Sequence, residues 1–248
     1  MTDLLKISNV SKAFREDSKN ILALSGVNFN VKGSELLAVI GPSGCGKSTL
    51  LKIIAGLMKA DSGFVRLRNR TILEPSKKMS MVFQHFALFP WLTALENVKF
   101  GLKMHGASER TQNEIARRWL REVGLRGFES EHPKELSGGM KQRVGLARAL
   151  ATDAEVLLMD EPFSALDAFT AHALRQDLLK IWKKSGKTII LVTHLVEEAV
   201  ELADRIIVLT QRPGRVAAVI NNNLKRPRNR RSHEFFKLVD RVTRAIKL

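Results

Sequence analysis

Hydrophobic positions along the chain fall into two textures. Four short runs, "ELLAVIG", "AEVLLMD", "KTIILVTH" and "RIIVLT", are almost wholly apolar and strand-sized, as strands buried on both faces must be. Helical patterns over 49–57, 168–184 and 196–203 separate them. Residues 36–40, 156–159, 188–192 and 206–209 are therefore predicted to form a mostly parallel sheet with helices on both faces. Ahead of it, "LLKISNVSKAF" and "ALSGVNFNV" alternate apolar and polar positions, which predicts an antiparallel β subdomain near the N-terminus. From about His85 to Leu150 the β-branched runs give way to helical periodicity, as in "ERTQNEIARRWLREVGL". The expected organisation is one α/β domain. Residues 1–84 and 151–215 would form the core, 85–150 an inserted helical subdomain, and 216–248 a basic C-terminal extension. In that extension Phe235, Leu238, Val239, Val242 and Ile246 share a helical face, with Lys237, Arg241 and Arg244 elsewhere. Packing of this helix onto the core is expected, the alternative being a dock for a membrane or an acidic protein.

Composition narrows the setting. The 248 residues suffice for a sizeable core, and no apolar run approaches the roughly 20 residues that span a bilayer. "MTDLLKISNV" lacks the basic start and apolar core of a signal peptide, so a cytoplasmic protein is expected. A single cysteine, Cys45, excludes an internal disulfide framework and a cysteine-based zinc site. The net charge of +16 points to an acidic partner: nucleic acid, an anionic membrane surface or a nucleotide. A solvated basic surface accounts for it equally well.

The chemistry begins at "GPSGCGKST", which follows a buried strand and opens a helix. Gly41, Gly44 and Gly46 let backbone N–H groups turn inward around phosphate oxygens, and the helix start beyond them favours negative charge. Lys47 would reach the β and γ phosphates, and the Ser48 hydroxyl would ligate Mg²⁺. The whole loop, including Pro42, Ser43, Cys45 and Thr49, is expected to line a nucleoside triphosphate. Cys45 is expected to be partly exposed beside helix N–H groups, with a favoured thiolate that ATP would shield from alkylation. The run "VLLMDEP" carries Asp160 and Glu161 to the carboxyl edge of a strand, where ligands of open parallel sheets gather. Asp160 could hold Mg²⁺ through its water shell and Glu161 could polarise the attacking water; capping of the next helix is the plainer alternative. A second anion site is suggested by "KELSGGMKQRVGLARAL", where a serine and two glycines open a helix.

In the order phosphate loop, "VFQ", "LSGGMKQR", "LLMDEP", "SALD" and "VTH", the chain resembles the ATP-binding cassette (ABC) ATPases from Ile7 to Leu209. The resemblance implies a P-loop NTPase core with ATP and Mg²⁺ as ligands. It implies that Gln84 is the Q-loop glutamine, sensing Mg²⁺ and the attacking water, and that His194 is the switch histidine at the γ phosphate. Phe14 would stack on adenine, where the family more often has tyrosine; a buried core phenylalanine is the alternative. Ser137, Gly138 and Gly139, with Gln142 on their helix, would address the γ phosphate held by a second copy of the chain. Asp167 in "SALD" would lie along that copy. Two composite sites would then form in a head-to-tail dimer whose opening and closing drives separate membrane subunits.

Three classes of cassette protein remain to be weighed. The heptad arms or zinc modules of DNA-repair cassettes and the paired cassettes of ribosome-acting ones are missing, so nucleic acid is not an expected partner. A free-standing cassette resembles the subunits of bacterial importers. "FALFPWLTALENVKFGL", "DEPFSALDAFT", "VEEAVELADRIIVL" and "QRPGRV" are similar to the nitrate, sulfonate and taurine branch. The chain would then work at the cytoplasmic face of the inner membrane as a peripheral subunit. Its partners would be integral membrane permease subunits and, indirectly, a periplasmic or lipid-anchored solute-binding protein. A cassette of another importer class is the alternative. Phe89, Pro90 and Trp91 would offer an apolar patch to the permease, unless those rings pack in the core. No additional C-terminal regulatory domain is expected. Leu195 stands where the branch usually has Asp, and Ala171 where Arg commonly follows "DAFT".

Overall fold

The alternating segments near the start of the chain form two long strands, β1 (Asp3–Glu16) and β2 (Lys19–Lys32), paired antiparallel. The chain then enters β3 (Leu36–Ile40) and helix α1 (Lys47–Ile54). It returns to β1 with β4 (Ser62–Leu67), antiparallel, and β5 (Arg70–Thr71) on β4. Leu5 and Ile7 of β1 are buried while Lys6 between them is exposed, the inside–outside alternation of a strand with one wet face. The structure is a computed structural model that describes residues 3–16 and 19–247. Its residues divide into one unit of Met1–Ser76 with Thr188–Leu248 and another of Lys77–Lys187.

The second unit opens with β6 (Met79–Val82), parallel to β7 (Val156–Asp160). Helices α2 (Ala94–Met104), α3 (Glu109–Glu122) and α4 (Gly138–Ala151) lie between them in sequence, and α5 (Ala168–Ser185) follows. Each helix starts on an N-cap acceptor: Thr93, Ser108, Ser137 and Asp167 all accept from the first turn. At Thr93 the cap is reciprocal, because Glu96 reaches back to its N–H. Asn97, wholly buried on α2, gathers the loop before the helix. Its amide donates to the carbonyls of Phe89, Leu92 and Thr93 at 3.2, 3.0 and 3.0 Å and accepts from Phe89 N–H at 2.9 Å.

The chain completes the first unit with β8 (Thr188–Thr193), α6 (Val196–Leu202), β9 (Arg205–Leu209), β10 (Val216–Asn221) and α7 (His233–Ile246). β3 runs parallel to both β8 and β9; all three are almost wholly buried, as the apolar runs require. β10 joins β9 antiparallel, so the extension beyond 215 begins as a strand. α7 buries Phe235, Leu238, Val242 and Ala245, which settles its packing onto β9, β10 and α6.

The basic stretch "LKRPRNRR" is used inside the fold. α6 ends without a glycine, and its terminal carbonyls are taken by side chains that follow β10. Arg228 Nη1 donates to Val200, Glu201 and Ala203 O at 3.1, 3.0 and 2.8 Å. Arg226 donates to Leu202 O and pairs with Asp204. Asn222 donates to Val200 and Ala203 O at 2.8 and 3.0 Å, and Arg230 pairs with Glu197. Cations at a helix C-terminus also meet the negative end of its dipole. Burial, with Arg226 nearby, pulls the Arg228 guanidinium down to about 10. Arg228→Met should lower stability by about 1–3 kcal/mol, because Glu201 O loses its side-chain donor while Val200 and Ala203 O keep Asn222. The check is a shift of the urea midpoint at unchanged slope.

Candidate functional site

In the first unit, β3 ends at the phosphate loop and α1 leaves it. Gly46, at φ 97°, is the N-cap of α1 in the left-handed region, where a side chain is disfavoured. A Cβ there would also fall 2.7 Å from Leu24 Cδ2 and 2.9 Å from Ala23 O. The α1 N-terminus has no side-chain cap and no acidic residue in its first turn, which leaves its positive dipole end uncompensated by side chains. Lys47 is 6% exposed. Its ammonium donates to Gly41 O at 2.8 Å and Pro42 O at 2.9 Å, with Cys45 Sγ at 3.9 Å. A buried cation held by neutral carbonyls, beside a helix start rich in N–H donors, fits a polyanion. Ser43 and Gly44 are open to solvent, while Pro42, Ser48 and Thr49 are half-buried.

Cys45 departs from expectation. It is buried, and that burial pushes its thiol up despite the opposing pull of Lys47. The sulfur turns inward, and a Cβ on Gly41 would fall 2.8 Å from it, so the helix dipole acts on a group shut off from solvent. Phe14 is 36% exposed, with Lys12 Nζ 5.9 Å from its ring centroid. It is therefore a surface residue rather than a core one. His194 follows β8 and is exposed; beside it, Thr193 Oγ1 accepts Leu195 N–H at 3.1 Å. Leu195 is the N-cap of α6 and offers no side-chain acceptor, as its replacement of Asp implies.

In the second unit, β7 delivers Asp160 buried and Glu161 half-buried. Glu161 sits at φ 45° directly before Pro162, where β or polyproline backbone is preferred, so the carboxylate is presented by a strained residue. Gln84 comes to it: Nε2 lies 3.5 Å from Glu161 Oε2 and 3.4 Å from Ser164 Oγ, and Ser164 Oγ donates to Glu161 O at 2.9 Å. Ser164 was named in the sequence only as part of "SALD", and no periodicity signals this contact. Arg148 also went unrecognised. Its guanidinium donates to Ala87 O at 2.7 Å and Phe86 O at 3.1 Å, bracing two successive residues at positive φ. The only sign is an arginine on the otherwise small and apolar face of "GLARALA".

The signature segment divides its expected roles. Ser137 caps α4, its Oγ accepting Met140 N–H at 3.3 Å, and the first turn carries no acid. Gly138 has room above it, whereas a Cβ on Gly139 would fall 2.4 Å from Thr170 Cγ2. The second glycine is thus demanded by packing against α5. Gln142, expected at the nucleotide, is 1% exposed with neither amide atom hydrogen-bonded. Its position shares the buried side of α4 with Gly139, Leu146 and Ala149, so the amide faces inward. Asp167, expected to lie along a second copy, gives one carboxylate oxygen to Phe169 and Thr170 N–H at 3.1 and 3.0 Å. Hydrogen bonding by Thr170 holds its carboxyl below the usual range. Phe89 stacks near Trp91 and Phe100, with centroids 5.6 and 4.4 Å apart. Trp91 is 70% exposed and Pro90 is open, so these rings form a surface patch.

The Ser48 hydroxyl in the first unit, and the Asp160 carboxylate and Gln84 amide in the second, are each hard oxygen donors of the kind Mg²⁺ takes; among the described residues there is no cluster of three or more His, Cys, Asp or Glu. Alkylation gives a direct test of the loop's interior. Cys45 should label at least about tenfold more slowly in the native protein than in denaturant at neutral pH, with or without ATP; thiol titration would detect fast, nucleotide-protected labelling if the sulfur were open.

The profile described as ABC transporter matches residues 24–164, more than half of the chain. An aliphatic sulfonates import ATP-binding protein of Bacillus thuringiensis is 44% identical over 96% of this chain and 94% of its own length. A nitrate import ATP-binding protein of Synechocystis is 42% identical over 96% and 93%. Among solved structures, a dimeric ATP-binding cassette in a post-hydrolysis state, bound to ADP and Pi, is similar. It has a TM-score of 0.79 and 36% identity, over 91% of this chain and 99% of that one. On that match and those identities, the chain belongs to the ABC transporter family of ATP-binding cassette ATPases.

Proposed function

We propose that the chain hydrolyses ATP to energise an importer of a small anionic or zwitterionic solute, of the nitrate, sulfonate and taurine kind. The observation that carries this reading is the buried Lys47 ammonium, ringed by neutral carbonyls at the uncapped start of α1. In this account the loop amides from Gly41 to Thr49 and Lys47 bind the β and γ phosphates, and Phe14 stacks on adenine. Mg²⁺, held through Ser48, Asp160 and Gln84, would neutralise charge on the phosphate oxygens. Glu161 orients and polarises the attacking water, with Gln84 steadying its carboxylate, and His194 stabilises charge at the γ phosphate. Ser137 and Gly138, at the first turn of α4, address the γ phosphate on a second copy. Asp167 and Gln142 hold the signature region in shape without touching nucleotide.

Docking to permease subunits is assigned to the patch of Phe89, Pro90, Trp91 and Phe100, whose aromatic character suits an interface anchor. No helix among the described residues is long and apolar enough to cross a membrane. A peripheral place at the cytoplasmic face follows from such docking, and a solute-binding protein completes the importer. The names of the sulfonate and nitrate relatives support the solute class.

Three variants separate the roles. Lys47→Ala should abolish measurable ATP affinity. Glu161→Gln should bind ATP, accumulate as a dimer on size exclusion and lose turnover by at least about 100-fold. Ser137→Arg should bind ATP as a monomer with near-normal affinity yet fail to dimerise or hydrolyse. Normal turnover in Glu161→Gln would end the role given to that carboxylate. For the solute, ATPase stimulation of the chain with its permease should be measured with nitrate, sulfonates and taurine, each with its binding protein. Stimulation by none of them would remove the proposed class.

A further inference from the structure

The turn between β9 and β10 lies against the phosphate loop, and none of the roles above uses it. Thr210 closes the turn: its Oγ1 donates to Pro213 O at 2.9 Å and accepts Arg215 N–H at 3.0 Å. Gly214 is stitched to β2, its N–H donating to Ala23 O at 2.9 Å and its carbonyl accepting Ser25 N–H at 3.0 Å. So fixed, the turn meets two successive carbonyls of the phosphate loop. Arg212 Nε donates to Gly44 O at 3.2 Å. The Gly214 backbone lies so near Cys45 O that a Cβ on it would fall 2.1 Å from that oxygen.

A trans peptide points its carbonyl and the following N–H in opposite directions. Holding Gly44 O against Arg212 therefore turns Cys45 N–H into the loop, where it points to Pro42 O at 3.3 Å. That same carbonyl takes Lys47 Nζ. Holding Cys45 O against Gly214 turns Gly46 N–H away from the turn in the same manner. The arginine that caps an outward carbonyl lies on the outer side of the loop, opposite the donors. Its side chain is exposed and has no carboxylate partner among the described residues.

We propose that Arg212 is a positioning residue for nucleotide binding: through Gly44 O it presets the loop amides that cradle the phosphates. The β9–β10 turn thus serves as the outer wall of the phosphate loop. Because the β phosphate that those amides hold is present in both ATP and ADP, both nucleotides depend on Arg212. The inference rests on the phosphate-loop reading given under Proposed function.

Equilibrium binding of ATP and ADP to the full chain tests it, with Arg212→Met, Arg212→Lys and Lys47→Ala compared with wild type. Arg212→Met should weaken both nucleotides by about five- to tenfold, the scale of one lost charge-assisted hydrogen bond. Turnover at saturating ATP should change less than about twofold, and the nucleotide-free melting temperature should stay unchanged. Arg212→Lys keeps a donor for Gly44 O and should recover most of the affinity. Unchanged affinity in Arg212→Met overturns the proposal. So does a loss confined to ATP, which would make the side chain a γ-phosphate ligand, or a loss tracking a lower melting temperature, which would make it a general stabiliser. If wild type bound no nucleotide, or Lys47→Ala bound normally, the phosphate-loop reading itself would fall. A wild-type-like Arg212→Met beside a defective Lys47→Ala removes only the role of Arg212.

Discussion

An ammonium group withdrawn from water and given only carbonyl oxygens is costly, by several kcal/mol before its contacts offset the loss. Lys47 is in this position, and the first unit is arranged around keeping it there. β3 is buried throughout and brings the chain to the loop at a fixed height. Gly46 turns the backbone into α1 through a left-handed step. Leu24 and Leu209 press on the loop so closely that side chains at Gly41 or Gly46 would collide, and a side chain at Gly214 would strike Cys45 O. A cation whose ammonium is already held by carbonyls at a closely backed helix start has little to reorganise when an anion enters, which is what preorganised electrostatic recognition requires.

The second unit stores its tension differently. Phe86, Ala87 and Glu161 all hold left-handed backbone without being glycine, each at a cost of order 1–3 kcal/mol. Arg148 holds the first two by their carbonyls, and its own guanidinium is pulled below its ordinary value by burial. Ser164 holds the third by its carbonyl oxygen. Strained residues thus flank Gln84 in sequence on one side and face it in space on the other. A change in what Gln84 contacts would act on backbone that is already strained.

The wholly apolar runs were legible as strands because burial on both faces leaves one pattern. Loop geometry was legible where spacing itself dictates it, as from Gly41 to Thr49, where a left-handed glycine turns β3 into α1. β10 was not separated from the extension, since an edge strand such as "VAAVIN" has a single buried position. Cys45 was misplaced, and the orientations of Gln142 and Asp167 were not legible, for a common reason. Sequence places a residue in a loop or on a helix, but the direction of a side chain is decided by competition among local acceptors and packing partners. Asp167 finds two amide donors on its own helix, and Gln142 falls on the side of α4 that faces inward. Basic residues after Asn222 looked like a charged tail because a helix that lacks its own cap leaves no trace in the sequence of its remote partners.

That last arrangement has a genetic consequence. His194 stands at one end of α6, and the other end of the same short helix is held by Asn222, Arg226 and Arg228. A nonsense codon placed after Asn222 would spare every nucleotide-facing motif in the reading frame. It would nonetheless remove the arginines that secure α6, and with them the fixed footing of the histidine before it. Such an allele would score as a loss of catalysis although its lesion lies wholly outside the motifs by which catalysis is recognised.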